Sequence, residues 1–396
     1  MKVSKEQHKE NILNIKNNNI LLELPTSFGK SKLALDILKE RQKDINNILL
    51  VVPRNVLKAN WIAEFYKWNM DSQLPKVTMT TYVSLPKHAG EWDMLICDEA
   101  HHLSERCREA LTSFDVKYSI LLSATVGYNL KDELKEVFEN LYVYKVTARQ
   151  AIDNDILPDP RVYLLPMELN KYDYNCYMTV NPKAKKEDKR MYSMKDYWNL
   201  KKYCKDTKCT IRCTEMQYYD RLDSDIEFYR KKSSNPRMKN IWLHKCGERL
   251  KWLSDRKTNY VARIIKHFKD YRTLTFCNGI EQTEVLGKNH INSKNKESNE
   301  ILKRFNNGEI NHITACNMLN EGMNLSNCQI GIYANLNSSE TIVKQRLGRI
   351  LRHDNPIIII PYFKNTRDEE LVNKMIQDYN PELVKTVNDI KNINEL

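Results

Sequence analysis

Asn19-Ile20-Leu21-Leu22-Glu23-Leu24-Pro25-Thr26-Ser27-Phe28-Gly29-Lys30-Ser31-Lys32 decides the fold. An apolar run of strand length stops at Pro25. A polar turn ending in Gly-Lys-Ser follows, and Leu33, Ile37 and Leu38 then recur at helical spacing. A strand feeding a glycine turn and a helix start is a phosphate cradle. Gly29 lets the backbone approach an anion, and the first turn of the helix offers free N–H groups and a positive dipole end. In that geometry Lys30 reaches the β- and γ-phosphates of a nucleoside triphosphate and the Ser31 hydroxyl ligates Mg²⁺. Thr26, Ser27, Phe28, Gly29, Lys30 and Ser31 are therefore the expected nucleotide-binding residues. Leu24 stands where the usual pattern has its first glycine. The tripeptide alone is a weak match, and its place between strand and helix carries the reading.

Further strands lie outward from this stretch. Ile48–Val52 ends at Pro53, Asp93–Cys97 delivers Asp98 and Glu99, and Tyr118–Leu122 delivers Ser123-Ala124-Thr125. Apolar strands alternating with amphipathic helices predict an α/β fold with a parallel sheet. Such sheets bind ligands beyond the carboxyl ends of their strands, where all these motif residues fall. A second set of strands begins at Arg161–Leu165 and resumes at Thr273–Cys277, His312–Cys316, Gln329–Tyr333 and Pro356–Pro361. This predicts a first lobe over residues 1–155 and a second over 156–169 and 259–396. Between them, residues 170–258 form an insertion, mostly helical after Thr214. It holds 23 Lys and Arg against 12 Asp and Glu, and 13 aromatic residues.

The 396 residues carry a net charge of +12, nearly all of it in that insertion, which favours a polyanionic partner such as nucleic acid. The chain has no apolar run of about 18 residues to span a bilayer, and its first residues lack an apolar signal core. Ten cysteines scattered through apolar runs suit reduced thiols in a cytoplasm. Cys204, Cys209, Cys213 and Cys246 have loose metal-ligand spacing but no paired Cys-x-x-Cys units, so strand cysteines are the favoured reading.

Asp98 and Glu99 divide the labour of hydrolysis. One carboxylate holds the metal, directly or through water, and its neighbour orients or deprotonates the attacking water. Far downstream, Gln345, Arg349 and Arg352 fall at i, i+4 and i+7, one face of a helix. Guanidinium groups there can meet the γ-phosphate from the opposite lobe. Gly348 lies inside that helix, where glycine costs about 1 kcal/mol unless something must approach closely. Tyr218, Tyr219, Tyr229, Trp242 and Trp252, at helical intervals among Ile and Leu, read as core rather than as base-stacking residues.

Together these segments resemble superfamily 2 helicases and translocases of the DEAH-type branch, over nearly the whole chain. The resemblance implies two RecA-like lobes. Thr26–Ser31 resembles the family's first motif, Asp98-Glu99-Ala100-His101 its Asp-Glu-Ala-His box, Ser123–Thr125 its coupling motif and Gln345–Arg352 its arginine-finger motif. Glu321–Leu325 looks like the fifth motif, with Gly322 and Asn324 expected near the nucleotide and Asn324 in place of a frequent aspartate. Gln7 resembles the glutamine that reads adenine. Pro53, Arg54, Thr81, Asn278 and Asn317 are the positions the resemblance assigns to nucleic-acid contact. Ser27 stands where the family usually has glycine.

ATP and Mg²⁺ are thus the expected cofactors. The expected activity is an ATP-driven motor on nucleic acid, DNA favoured over RNA, in replication, recombination or repair. A stimulated ATPase clamp without unwinding, and the motor subunit of a restriction or defence complex with a separate nuclease or replication partner, stay open. The lean Lys- and Asn-rich chain suits a phage or mobile-element gene.

Overall fold

The computed structural model describes residues 2–316, 325 and 327–393. Its first sheet holds β1 (Asn19–Glu23), β2 (Ile48–Val52), β3 (Val77–Thr81), β4 (Glu91–Asp98), β5 (Asp115–Ser123) and β6 (Tyr142–Lys145). They run in the order β3-β2-β4-β5-β1-β6, every pair parallel. The central strands are apolar because both faces are covered. Ile20, Leu22, Leu50 and Ile96 pack into one core cluster, and Leu21, Leu49, Val51 and Leu95 into another.

The second sheet is built from β7 (Arg161–Met167), which leads into a separate small unit before the sheet resumes. That unit has β8 (Cys176–Val180), β9 (Lys186–Tyr192) and β10 (Thr207–Cys213), with β10 antiparallel to β8 and parallel to β9. Helices Tyr197–Tyr203 and Glu215–Arg230 belong to it. The second sheet then continues through β11 (Thr273–Phe276), β12 (His290–Ile291), β13 (His312–Ala315), β14 (Ile330–Tyr333), β15 (Ile357–Phe363) and β16 (Val384–Thr386). Its order is β12-β13-β11-β14-β15-β7-β16, again wholly parallel. These are the two RecA-like lobes expected, with an insertion between the first and second strands of the second lobe.

Helix Pro236–His267 ties insertion to lobe. Its 32 residues reach about 48 Å at 1.5 Å per residue. Its last turns bury Val261 and Ile264 under the second sheet, while Trp252, further back, stacks on Tyr218 at 5.0 Å. The expected boundary at residue 258 therefore falls inside one continuous helix, because the apolar stripe does not break there. Tyr219 is buried, and Tyr229 and Trp242 are half-buried. The three-stranded sheet went unforeseen apart from β10. β9 is Lys-Glu-Asp-Lys-Arg-Met-Tyr, an edge strand with no apolar alternation to betray it.

Within the second lobe the Lys257 ammonium donates to the Asp368 carboxylate at 2.7 Å, and both side chains are almost fully buried. Removing one partner leaves a buried charge uncompensated. Asp368→Ala is expected to lower stability by about 3–5 kcal/mol in chemical denaturation, whereas Lys257→Met/Asp368→Leu together recover most of that loss.

Candidate nucleotide site and nucleic-acid interface

The strand order fixes the layout. β1 ends in the phosphate loop, β5 in Ser123-Ala124-Thr125, and β4 in Asp98-Glu99, so these three sets lie side by side along one sheet edge. β2 and β3 continue the same edge, and Val52 registers with Thr81. Pro53, Arg54 and Thr81 thus sit on the far side of the acidic pair from the phosphate loop. Arg54 is exposed.

The loop backbone bends through two left-handed residues, Ser27 at φ 73° and Gly29 at φ 103°. Helix Lys30–Arg41 starts directly after Gly29. Lys30 Nζ donates to the Leu24 carbonyl at 3.2 Å. Its burial disfavours the ammonium, Glu99 and Asp98 partly restore it, and Arg349 and Arg352 oppose it further. Gln7 is exposed in the first turn of helix Lys5–Leu13, its backbone N–H capped by Ser4 Oγ at 3.1 Å. Its neighbour His8 is buried edge-on against Phe28 at 5.6 Å.

Asp98 is held from several directions. Trp61 Nε1 donates to its Oδ2 at 2.9 Å, and the Tyr82 hydroxyl donates to its carbonyl at 2.7 Å. Burial, then the adjacent Glu99 charge, push the Asp98 carboxyl up to about 6, against the pull of the Trp61 hydrogen bond and of Lys30. Glu99 adopts a left-handed backbone at φ 52°, and its Oε2 lies 3.4 Å from His101 Nδ1. That oxygen is buried without a hydrogen bond, and so is Gln345 Nε2. His101 Nδ1 also lies 3.1 Å from Ser123 Oγ, linking the ends of β4 and β5.

The second lobe closes the site with helix Glu340–Ile350. Ser27 Oγ donates to the Gly348 carbonyl at 2.8 Å and accepts from Arg352 Nε at 3.2 Å. A β-carbon at Gly348 would collide with Thr26, so the glycine exists for close approach. Arg349 is buried, and desolvation first, then Arg352, lower its guanidinium to about 10 while Glu99 draws it back up. Arg352 is not on the helix face as its spacing implied. The helix ends at Ile350, and Arg352 reaches back from the turn beyond, also donating to the Leu325 carbonyl at 2.9 Å. Arg346 instead serves the second lobe's core, donating to the Asn335 carbonyl at 2.7 Å beneath Phe276. Asn278 follows β11, with its backbone N–H given to Gln282 Oε1 at 3.0 Å. Gly322, Asn324 and Asn317 lie outside the described residues.

One buried cation, Arg349, and two half-buried ones, Lys30 and Arg352, therefore meet two carboxylates around one loop, a net positive pocket that an anion would relieve. Glu99 Oε2 and Gln345 Nε2 are buried there without a hydrogen bond. The expected donors, the Ser31 hydroxyl in the first turn of helix Lys30–Arg41 and the Asp98 carboxylate at the end of β4, are of the hard-oxygen kind that Mg²⁺ takes. Among the described residues no cluster of three or more His, Cys, Asp and Glu could hold a metal unaided, and the ten cysteines are free thiols. None of the described helices is long and apolar enough to cross a membrane. Trp61, Tyr82 and the His101–Ser123 link were missed in the sequence, since nothing in an amphipathic helix marks which tryptophan will reach a carboxylate at the end of the second strand after it.

Comparison with known proteins agrees with this layout. Residues 3–127 match the family described as type III restriction enzyme, res subunit, and residues 256–354 match the helicase conserved C-terminal domain. The DNA 3'-5' translocase XPB2 of Sulfurisphaera tokodaii is 23% identical over 381 residues, covering 91% of this chain and 79% of that protein. Among solved structures, the Pyrococcus furiosus Hef helicase domain superposes with a TM-score of 0.52 at 14% identity, over 94% of this chain and 98% of that one. S. cerevisiae Dbp5 bound to RNA and ADP BeF3 superposes with 0.54 at 11% identity, over 98% and 89%. At these identities the structural likeness shows the two-lobed fold.

The raised Asp98 carboxyl has a signed consequence. Its folded value lies above the ordinary one, so the buried anion opposes folding at neutral pH, and that opposition fades as pH falls through about 6. If Asp98 holds Mg²⁺ as its place in the motif implies, only its anion does so, and MgATP turnover is expected to fall over the same window. Replacing Trp61 removes a bond that favours the anion. Trp61→Phe is expected to move the acid limb of kcat/KM for MgATP to higher pH than in the wild type; superimposed limbs would exclude the Trp61 bond as a tuning element.

Proposed function

We propose that this chain, an ATP-driven nucleic-acid-translocating enzyme of the superfamily 2 helicase type, runs along DNA through cycles of lobe closure and opening. One observation carries the reading: Arg349 and Arg352 of the second lobe are packed against the phosphate loop and Glu99 of the first. ATP would lie on Thr26–Ser31 with Lys30 at its outer phosphates. Ser31 and Asp98 would hold Mg²⁺, which supplies charge neutralisation on the phosphates when bound. Glu99, with a buried oxygen left unbonded, takes the proton of the attacking water. Arg349 and Arg352 stabilise charge developing on the transferred phosphoryl group, and Gln345 orients the water beside them. Pro53, Arg54, Thr81 and Asn278 at strand ends form the track contacts, on the other side of the acidic pair. The Asp-Glu-Ala-His box supports the DEAH-type assignment, and the likeness to a DNA translocase supports DNA as track. Unpaired thiols support a cytoplasmic setting.

The match over residues 3–127 to a restriction-enzyme subunit favours a second reading, a motor within a restriction or defence complex with a separate nuclease. Co-purification of a nuclease from the native host would select it, and a chain that translocates alone would set it aside.

Loss of the base or the finger should spare binding and remove turnover. Glu99→Gln is expected to lower DNA-stimulated ATPase by about 10²–10⁴, and Arg349→Ala by about 10³ or more, with single-stranded DNA affinity within about twofold of wild type in both. Wild-type ATPase in Lys30→Ala would overturn the site. Gly348→Ala should cut stimulated ATPase strongly through its clash with Thr26 while leaving the melting of the protein nearly unchanged, because the added methyl obstructs closure and not either core.

A further inference from the structure

The small sheet of the insertion has one face buried and one face bare. Cys176 and Val180 of β8, and Cys209, Ile211 and Cys213 of β10, point into a compact core with Tyr197 and Leu200. Strand alternation turns Tyr177, Thr210 and Arg212 the other way. On that outer face Arg212 stands opposite Tyr177, and Thr210 opposite Met191 of β9. The loop before β8 brings Tyr172 and Tyr174 to its rim, where they line a shallow depression with Met191 and Arg212. The Arg212 guanidinium donates to the Tyr174 carbonyl, fixing the rim to the face.

This surface is costly to leave in water. Tyr172 is 87% exposed, Tyr177 58% and Tyr174 49%. Clustered exposed aromatics mark a binding site more often than isolated ones do. The charge around them selects the partner. Residues 171–213 carry 12 Lys and Arg against 5 Asp and Glu, with Asp173 the one acid on the rim. Flat tyrosines spaced along a strand and its adjoining loop, set in positive charge, match the bases and phosphates of an unpaired strand. A duplex keeps its base faces stacked on one another and offers nothing to these rings.

We propose that the outer face of the three-stranded sheet is a second nucleic-acid site, at which single-stranded DNA stacks its bases on Tyr172, Tyr174 and Tyr177 while Arg212 holds a phosphate. This deepens the motor reading, since it gives the insertion a hold on the displaced or trailing strand. Unlike Tyr218, Tyr219 and Trp252 of the helical part, which pack against one another, these three belong to no core cluster.

The test is equilibrium binding by the full chain, without nucleotide, of fluorescein-labelled 20-mer oligothymidylate, a 20-bp duplex and a 20-mer oligouridylate. Tyr174→Ala/Tyr177→Ala should weaken oligothymidylate about tenfold or more and duplex less than twofold, with an unchanged melting transition. Arg212→Gln should weaken it less and reduce the salt slope by about one. Unchanged oligothymidylate binding, or equal loss for strand and duplex, would overturn the stacking site; tighter binding of oligouridylate would overturn DNA as its occupant. Self-association in sedimentation that the tyrosine variants abolish, with DNA binding intact, would assign the face to a second copy of the chain instead. Because the readout is binding, it stands apart from the motor reading, which fails separately if no DNA stimulates the ATPase.

Discussion

One hydroxyl is shared between the two halves of this protein. Ser27 Oγ lies between the Gly348 carbonyl and the Arg352 guanidinium, so a single side chain of the phosphate loop is bonded twice to the opposite lobe. The contact exists because position 348 has no side chain and the helix can come down onto Thr26. Helix Glu340–Ile350 is held on its own sheet through Arg346 and the Asn335 carbonyl, and Arg352, in the turn beyond it, is held separately by the Leu325 carbonyl.

The electrostatics make the closed form conditional. Burial lowers the proton affinity of Lys30, Arg349 and Arg352, and each also feels a neighbouring cation or carboxylate. Three cations against two carboxylates leave the seam between the lobes with an excess of positive charge, which a bound polyanion would offset. On the carboxylate side, Trp61 and Tyr82 fix Asp98, and the His101–Ser123 contact carries the position of the acidic turn to the end of β5. That edge also carries Pro53, Arg54 and Thr81. A strand bound there, as proposed, and a nucleotide at β1 would act on neighbouring turns of the same sheet, which would give a physical basis for coupling one to the other.

Much of this was legible in the sequence. The buried strands Ile48–Val52, Asp93–Cys97 and Tyr118–Leu122 are continuous apolar runs, which only a sheet covered on both faces requires, and their ends named Asp98, Glu99 and Ser123 in advance. Gly348 was legible too, as a helical glycine without local cause. What stayed hidden were features set by tertiary contact. Arg352 obeys the helical period in sequence but lies past the helix end, because the chain turns after Ile350. Trp61 is one of several apolar residues on its helix face, and only the fold turns its N–H toward Asp98. β3, β6, β9 and β16 are short or polar edge strands, where pattern is weakest. The bare tyrosine face of the insertion depends on which way β8 and β10 turn, which composition does not say.

The proposed cycle, in which lobe closure on ATP and the DNA track brings the arginine helix onto the phosphate loop, is tested most directly by a distance. Spin labels placed on exposed residues of the two lobes, such as Tyr66 and Val285, would be followed by pulsed dipolar spectroscopy in a cysteine-reduced background. A broad distribution that narrows to one short distance only when a non-hydrolysable ATP analogue and single-stranded DNA are both present is the predicted result. A distribution that ignores both ligands, or one that closes equally in Arg349→Ala/Arg352→Ala, would contradict it.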